Sequence, residues 1–309
     1  MNSHDDACLL IDWGTSKARA WLVAPDGEIL SRNLTNAGIR HISEGGFPAA
    51  YTHLTEGLSP EPLPTLMSGM VGSRQGWVEA DYLDCPVEVS GLAQKLTTVP
   101  GASHIRIVPG VHSLTASGNH DVLRGEEIQI AGALELNGRR DQQLFCLPGT
   151  HSKWVTVKDD VLVDFHTSMT GEIFSILSEH SILAAMFPDI SATGDISKAG
   201  FDLGLQRAGN DGGILHHLFS VRSEALFATI APKDLRGYLS GILIGHEVHE
   251  MMTLKNRNIP VVVISDSHLG GLYVRAITKY NGTACALETE QVTIAGLRQV
   301  QTQAAQLAS

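Results

Sequence analysis

Leu10-Ile11-Asp12-Trp13-Gly14-Thr15-Ser16 reads as an apolar strand running into a tight turn, and the strands on its C-terminal side decide the fold. A second strand runs from Ala18 to Ala24, Pro25-Asp26-Gly27-Glu28 reverses the chain, and a third strand reaches Leu34. Short apolar runs separated by such turn residues make an antiparallel meander, not a strand-helix unit. At the first turn, Gly14, Thr15, Ser16 and Lys17 gather backbone N–H groups, hydroxyls and a cation. Such a nest suits phosphate oxygens, and Asp12 at the strand end is placed to hold magnesium through water. An ordinary hairpin turn with Gly at its strained position is the plain alternative.

The same order of elements recurs in the second half. The first meander is followed by a helical stretch from Gly46 to Leu58, strands at Pro64 to Met67 and Ile105 to Val108, and a helix from Glu126 to Leu136. A polar junction at Asn137-Gly138-Arg139-Arg140-Asp141-Gln142 then leads to a strand from Leu144 to Leu147 and the turn Pro148-Gly149-Thr150-His151-Ser152-Lys153. Strands at Trp154 to Val157 and Val161 to Phe165 flank Lys158-Asp159-Asp160 and complete a second meander. Helical patterns at Glu172 to Phe187 and Leu235 to Leu254, a strand at Val261 to Ile264, a helix at Leu269 to Tyr280, a strand at Ala284 to Leu287 and a helix from about Gln291 finish the chain. Recurrence of this kind predicts two similar domains, 1–138 and 139–309, with a ligand site in the cleft between them. The turn at Gly149, Thr150, His151, Ser152 and Lys153 matches the first in Gly and hydroxyl content and likewise carries a cation.

Size and composition agree with that division. A chain of 309 residues exceeds what one hydrophobic core usually supports. Its 43% hydrophobic and 18% charged residues suit packed domains, not disorder. A formal net charge of -11 excludes a general phosphate-backbone binder, because nucleic-acid affinity rests on Lys and Arg releasing counterions. Cys8, Cys85, Cys146 and Cys285 form no C-x-x-C pair, which argues for reduced thiols and against a zinc site or disulfide framework. The polar, acidic start Met1-Asn2-Ser3-His4-Asp5-Asp6 is not a secretion signal, and a soluble cytoplasmic protein is expected. Neither G-x-x-x-x-G-K-[ST] nor G-x-G-x-x-G occurs, so a P-loop or dinucleotide fold is not indicated.

Four stretches carry a family resemblance. Leu10 to Ser16, Ser68-Gly69-Met70-Val71-Gly72-Ser73-Arg74-Gln75-Gly76-Trp77, Leu123-Arg124-Gly125-Glu126-Glu127 and Leu147 to Trp154 resemble the 2-dehydro-3-deoxygalactonate kinases. That family lies within the superfamily of sugar kinases, actin and chaperone ATPases. The resemblance implies an α/β fold of two actin-like, ribonuclease H-like domains, each a mixed sheet with a three-strand meander and flanking helices. It implies ATP and Mg2+ as cofactors and phosphorylation of the C6 hydroxyl of 2-dehydro-3-deoxy-D-galactonate, in galactonate catabolism.

Phosphoryl transfer needs a carboxylate near the attacking hydroxyl, and on the resemblance that group is Glu126, with Glu127 as alternate. Acidic residues in a first helical turn also simply complement the helix dipole. Arg74 is the candidate for the substrate's carboxylate, because a guanidinium grips two oxygens at once; Ser73, Gln75 and Trp77 share its loop. A solvated Arg beside a core Trp is the plain alternative. Val262-Val263-Ile264-Ser265-Asp266-Ser267-His268-Leu269-Gly270-Gly271 stands at the expected adenosine site, where Asp266 and His268 replace a more Gly-like turn and leave base preference open. Fourteen histidines suggest no metal site: His246 and His249 are three apart, whereas a zincin helix needs four. Two other readings keep the fold, a nucleotide-dependent regulator or chaperone-like ATPase without a small acceptor, and a phosphohydrolase using Glu126 to activate water. The sequence favours a small-molecule partner and leaves oligomeric state open, a homodimer included.

Overall fold

Short apolar runs and tight turns make β1 (Cys8–Trp13), β2 (Ala18–Val23) and β3 (Ile29–Thr35), the meander read from sequence, in a computed structural model. Residues 7–308 are described apart from 44, 60, 116–117, 139, 188–195 and 256–257, so Met1 to Asp6 and the junction residue Arg139 lie outside the described residues. The chain continues through α1 (Phe47–Thr55), β4 (Thr65–Ser68), β5 (Tyr82–Asp84), β6 (Val87–Glu88), β7 (Thr97–Val99), β8 (Ala102–Ile107), β9 (Gly110–Leu114), β10 (His120–Leu123) and α2 (Glu126–Asn137). Next come β11 (Gln142–Leu147), β12 (Ser152–Lys158), β13 (Val161–Ser168), α3 (Thr170–His180), α4 (Lys198–Ala208), α5 (Gly213–Leu226) and α6 (Pro232–Leu254). The last elements are β14 (Val261–Ile264), α7 (Ser267–Lys279), β15 (Ala284–Leu287) and α8 (Thr289–Ala308).

Contacts divide the chain into two units. The first holds residues up to Asp141, the segment Thr156–Phe165 and the chain from Thr289; the second holds Gln142–Val155 and His166–Glu288. The chain first leaves the first unit after Asp141, where two continuous halves divided at 138/139 were expected, and the closing helix α8 belongs to the first unit.

In the first unit a six-stranded sheet has the order β3-β2-β1-β4-β8-β7. β1 runs antiparallel to β2 and parallel to β4, with Asp12 opposite Ser68 at their ends. β1 is covered on both faces of the sheet, and Leu10, Ile11 and Trp13 are fully buried. On one face Phe47 packs edge-on against Trp13 at 5.8 Å and stacks on Trp77 at 6.4 Å between ring centroids. α2 and α8 approach through glycine: a Cβ on Gly132 would lie 1.8 Å from the Val292 carbonyl oxygen.

In the second unit β11 lies between β14 and the start of β12, with β15 beyond β14; β11, β14 and β15 are parallel. Its core gathers Leu144, Cys146, Trp154, Val261, Val263 and Tyr273 around the sheet and Phe201 from α4. α4 and α6 also cross on glycine, since a Cβ on Gly241 would sit 2.2 Å from the Phe201 carbonyl oxygen.

The structure departs from expectation in its smaller pieces. The helical pattern from Glu172 ends at His180, and only a short turn at Ala184–Met186 comes after it. α4, α5 and the small sheet β10-β9-β5 had no clear signal in the sequence. Glycines weaken the helix pattern of α4, α5 exposes Leu215 at 83% and Phe219 at 62%, and the small-sheet strands are only three to five residues long.

Candidate active site

The Asp12 to Lys17 turn is fixed by its carbonyl groups. Ile39 N–H donates to Gly14 O, Arg40 N–H to Thr15 O and Gly38 N–H to Ser16 O, at 3.1–3.2 Å. Gly14 N–H donates to Lys17 O at 2.9 Å across the turn, and with three successive carbonyls drawn to the 38–40 segment, the N–H groups and hydroxyls of Thr15 and Ser16 are the donors the turn can offer a ligand. Gly38 makes this approach possible: a Cβ there would stand 2.3 Å from the Ser16 backbone. Ser16 and Lys17 are exposed and Gly14 and Thr15 half-buried.

Asp12 closes the strand beneath that turn. Its carboxylate accepts from Arg19 at 3.3 Å and is 19% exposed. Burial raises its pKa, Arg19 pulls the other way, and Glu126 raises it further. Gly69, with φ +94°, is pressed against this corner, where a Cβ would meet Trp13 O at 2.8 Å and Asp12 Oδ1 at 3.3 Å; Gly125, with φ +112°, packs on Gly69. Those backbone conformations, hostile to side chains, bring the start of α2 to the ends of β1 and β4.

The two candidate carboxylates differ there. Glu126 is half-buried and accepts from Arg124 N–H at 2.8 Å. Glu127 is 1% exposed and both its oxygens accept from Gly125 N–H. Burial, then the charge of Glu126, pushes Glu127 up to about 8. Arg124, also buried, donates to Ala80 O at 2.8 Å and Tyr82 Oη at 3.1 Å, which ties the start of α2 to the chain just past the loop that carries Arg74.

Within that loop the four candidates scatter. Ser73 is buried with its hydroxyl on Met70 O, while Arg74 and Gln75 are exposed, Arg74 pairing with Glu79 at 3.6 Å. Trp77 packs on Phe47 and Tyr51 in the core beside α1.

The second unit holds its turn by different means. Gly171, at the start of α3, lies so close that a Cβ would be 2.3 Å from Gly149 O, and Glu172 N–H donates to Thr150 O. Thr150 and His151 are exposed, and His151 pairs with Glu172 at 2.6 Å. Ser152 and Lys153 are buried: Ser152 Oγ donates to Glu247 at 2.6 Å and Lys153 Nζ to Thr167 at 2.7 Å. Beside the turn a mainly apolar cavity is lined by Gly149, Thr170, Leu243, His268, Leu269 and Tyr273. Asp266, the departure from a Gly-like turn, caps α7, its side chain accepting from Leu269 N–H at 3.0 Å.

Sequence reasoning missed Gly38, Gly171, Arg19 and Glu247. The glycines have no motif and act through contacts with chain 20 or more residues away; only the opposite charges of Arg19 and Asp12 on paired strands were available as a signal. Among the described residues no group of three or more His, Cys, Asp or Glu side chains is placed to hold a metal ion. No helix among them is long and apolar enough to cross a membrane.

Two meanders, each with a glycine-backed, donor-rich turn, define the actin-like class of α/β proteins to which many sugar kinases belong. An activator of 2-hydroxyisocaproyl-CoA dehydratase from Clostridium difficile, solved with bound ADPNP, shares this fold at TM-score 0.54 and 11% identity over 98% of this chain and 97% of its own. The family model described as 2-keto-3-deoxy-galactonokinase matches residues 12–300, and the chain belongs to that family. It is 33% identical to the 2-dehydro-3-deoxygalactonokinase of Escherichia coli (strain K12), over 94% of this chain and 96% of the relative. A Rhizobium meliloti (strain 1021) relative described by the same activity is 34% identical over 93% of this chain and 94% of its own. A crystal structure from Sinorhizobium meliloti, described likewise, superposes at TM-score 0.86 with 33% identity, covering 95% of each chain. Membership of this kinase family implies use of ATP.

Proposed function

We propose that this protein catalyses ATP-dependent phosphorylation of the C6 hydroxyl of 2-dehydro-3-deoxy-D-galactonate. Family membership supports the reaction, and one observation carries the site: Gly125 packs on Gly69 and Gly69 on Asp12, which brings the start of α2, with Glu126, to the ends of β1 and β4. The Asp12 carboxylate at the strand end suits a magnesium ion, which is commonly held by one or two carboxylates, water and substrate phosphates. Asp12 would hold Mg2+ through water, and the ion, when bound with ATP, would neutralise charge on the transferred group.

The chain's own residues supply position. The turn at Gly14, Thr15, Ser16 and Lys17 offers N–H, hydroxyl and ammonium donors to phosphate oxygens, as do Gly149, Thr150 and His151 in the second unit. Ser152 and Lys153 support that second turn from within, and the neighbouring apolar cavity suits a nucleotide base. Glu126, the more accessible of the two acids, orients the acceptor hydroxyl and takes its proton. Glu127, buried and bonded to Gly125, serves the helix start instead. Arg74, exposed and paired only weakly with Glu79, anchors the acceptor's carboxylate. We place the reaction in the cytoplasm, in keeping with four free cysteines.

A coupled ADP-release assay over a panel of 2-dehydro-3-deoxy sugar acids tests the proposal. Galactonate-derived acceptor should raise turnover far above the no-acceptor rate, with the gluco epimer weaker. ADP release that ignores every acceptor would leave an ATPase and end the kinase reading.

A further inference from the structure

Glu247 sits in the buried middle of α6 beside Ile244, Val248 and Met251, at 5% exposure. A carboxylate in such surroundings costs several kcal/mol unless hydrogen bonds replace its water. Here four donors do so, two on each oxygen. Ser152 Oγ reaches Oε1 at 2.6 Å and Trp154 Nε1 at 2.7 Å; Tyr273 Oη reaches Oε2 at 2.7 Å, together with Thr170 Oγ1. Burial still pushes the Glu247 carboxyl up, against the pull of the four donors.

Those donors come from three separate pieces of chain. Ser152 and Trp154 belong to the Gly149 turn and β12, Thr170 opens α3, and Tyr273 stands on α7. Thr170 immediately precedes Gly171, whose backbone is pressed on Gly149. Gly149, Thr170, Gly171 and Tyr273 also line one cavity. One side chain therefore joins the second turn, the helix start behind it and the helix that walls the cavity. Ordinary core packing would use an apolar residue at this helix position.

We infer that Glu247 is a positioning residue for the nucleotide: by holding Ser152, Thr170 and Tyr273 together it sets the Gly149 to Lys153 turn against α3 and α7. This rests on reading that turn as a nucleotide-phosphate site. The acceptor side, built in the other unit, does not depend on the network.

The test uses the full-length chain and two variants. Glu247→Gln keeps one acceptor oxygen, and the hydroxyls of Thr170 and Tyr273 can turn to accept from its amide; Thr170→Val removes a single donor and keeps shape. Thermal melts establish that each is folded, calorimetric titration with magnesium-ATP in the absence of acceptor gives Kd, and steady-state assays give both KM values. Glu247→Gln should raise the ATP Kd and KM about tenfold and Thr170→Val a few-fold, with the sugar-acid KM within twofold of wild type. Unchanged ATP affinity in folded Glu247→Gln, or equal rises in both KM values, would overturn the inference. Failure of the underlying reading shows up elsewhere, as wild-type protein that does not bind ATP.

Discussion

The Asp12 to Lys17 turn and the Gly149 to Lys153 turn solve one problem in two ways. Both present donors from a tight reversal between strands, and both are backed by a glycine whose Cβ would fall 2.3 Å from turn backbone, Gly38 in one and Gly171 in the other. The first is then held by three main-chain bonds from residues 38–40, which leaves Thr15, Ser16 and Lys17 side chains outward. The second turns Ser152 and Lys153 inward, onto Glu247 and Thr167. Donor-rich turns of similar composition therefore expose different chemistry. In the first the Ser16 and Lys17 side chains are exposed; in the second Ser152 and Lys153 brace the turn from within.

Adding a methyl at either backing glycine is the largest way to break this parallel. Gly38→Ala and Gly171→Ala should each lower kcat/KM about 100-fold, because the turn must shift by a sizeable fraction of an ångström or more. Wild-type kinetics from a folded Gly38→Ala protein would show that the backing is incidental.

A pH effect belongs to Glu127 in the first unit. Glu127 has a folded pKa of about 8 against an ordinary 4.5. Its proton therefore stabilises the fold fully below about pH 4.5, and that contribution is lost as pH rises through about 8, a change on the order of 4 kcal/mol. Denaturant unfolding at pH 5 and pH 8 should show that decline, and Glu127→Gln should flatten it. Equal pH slopes in variant and wild type would place the Glu127 proton elsewhere.

The smallest effect sharpens the second unit. Asp266→Ala should cost about 1 kcal/mol of stability by removing the cap of α7, read as a lowered unfolding midpoint. An unchanged midpoint would remove the structural explanation for an acid at that position.

The elements bearing the turns were legible in the sequence because turn residues and apolar runs are local signals. β14, Val261–Ile264, and β15, Ala284–Leu287, fall where the sequence placed them. The return of α8 to the first unit was not legible, since the closeness of Gly132 to Val292 is a long-range contact with no local pattern. Glu247 was hidden for a similar reason. Its neighbours His246 and His249 drew attention to metal spacing, while its four partners lie 26 to 95 residues away. Glu126 and Glu127 could be located from sequence but not told apart, because which of two adjacent acids is buried depends on how Gly69 and Gly125 seat the helix.

That distinction bears on the chemistry, and Glu126→Gln tests it most directly. Single-turnover and steady-state rates with magnesium-ATP and 2-dehydro-3-deoxy-D-galactonate should fall by about 100-fold or more, with ATP affinity within a few-fold of wild type. Turnover at the wild-type rate would contradict the assignment of Glu126 as the group that orients and deprotonates the acceptor.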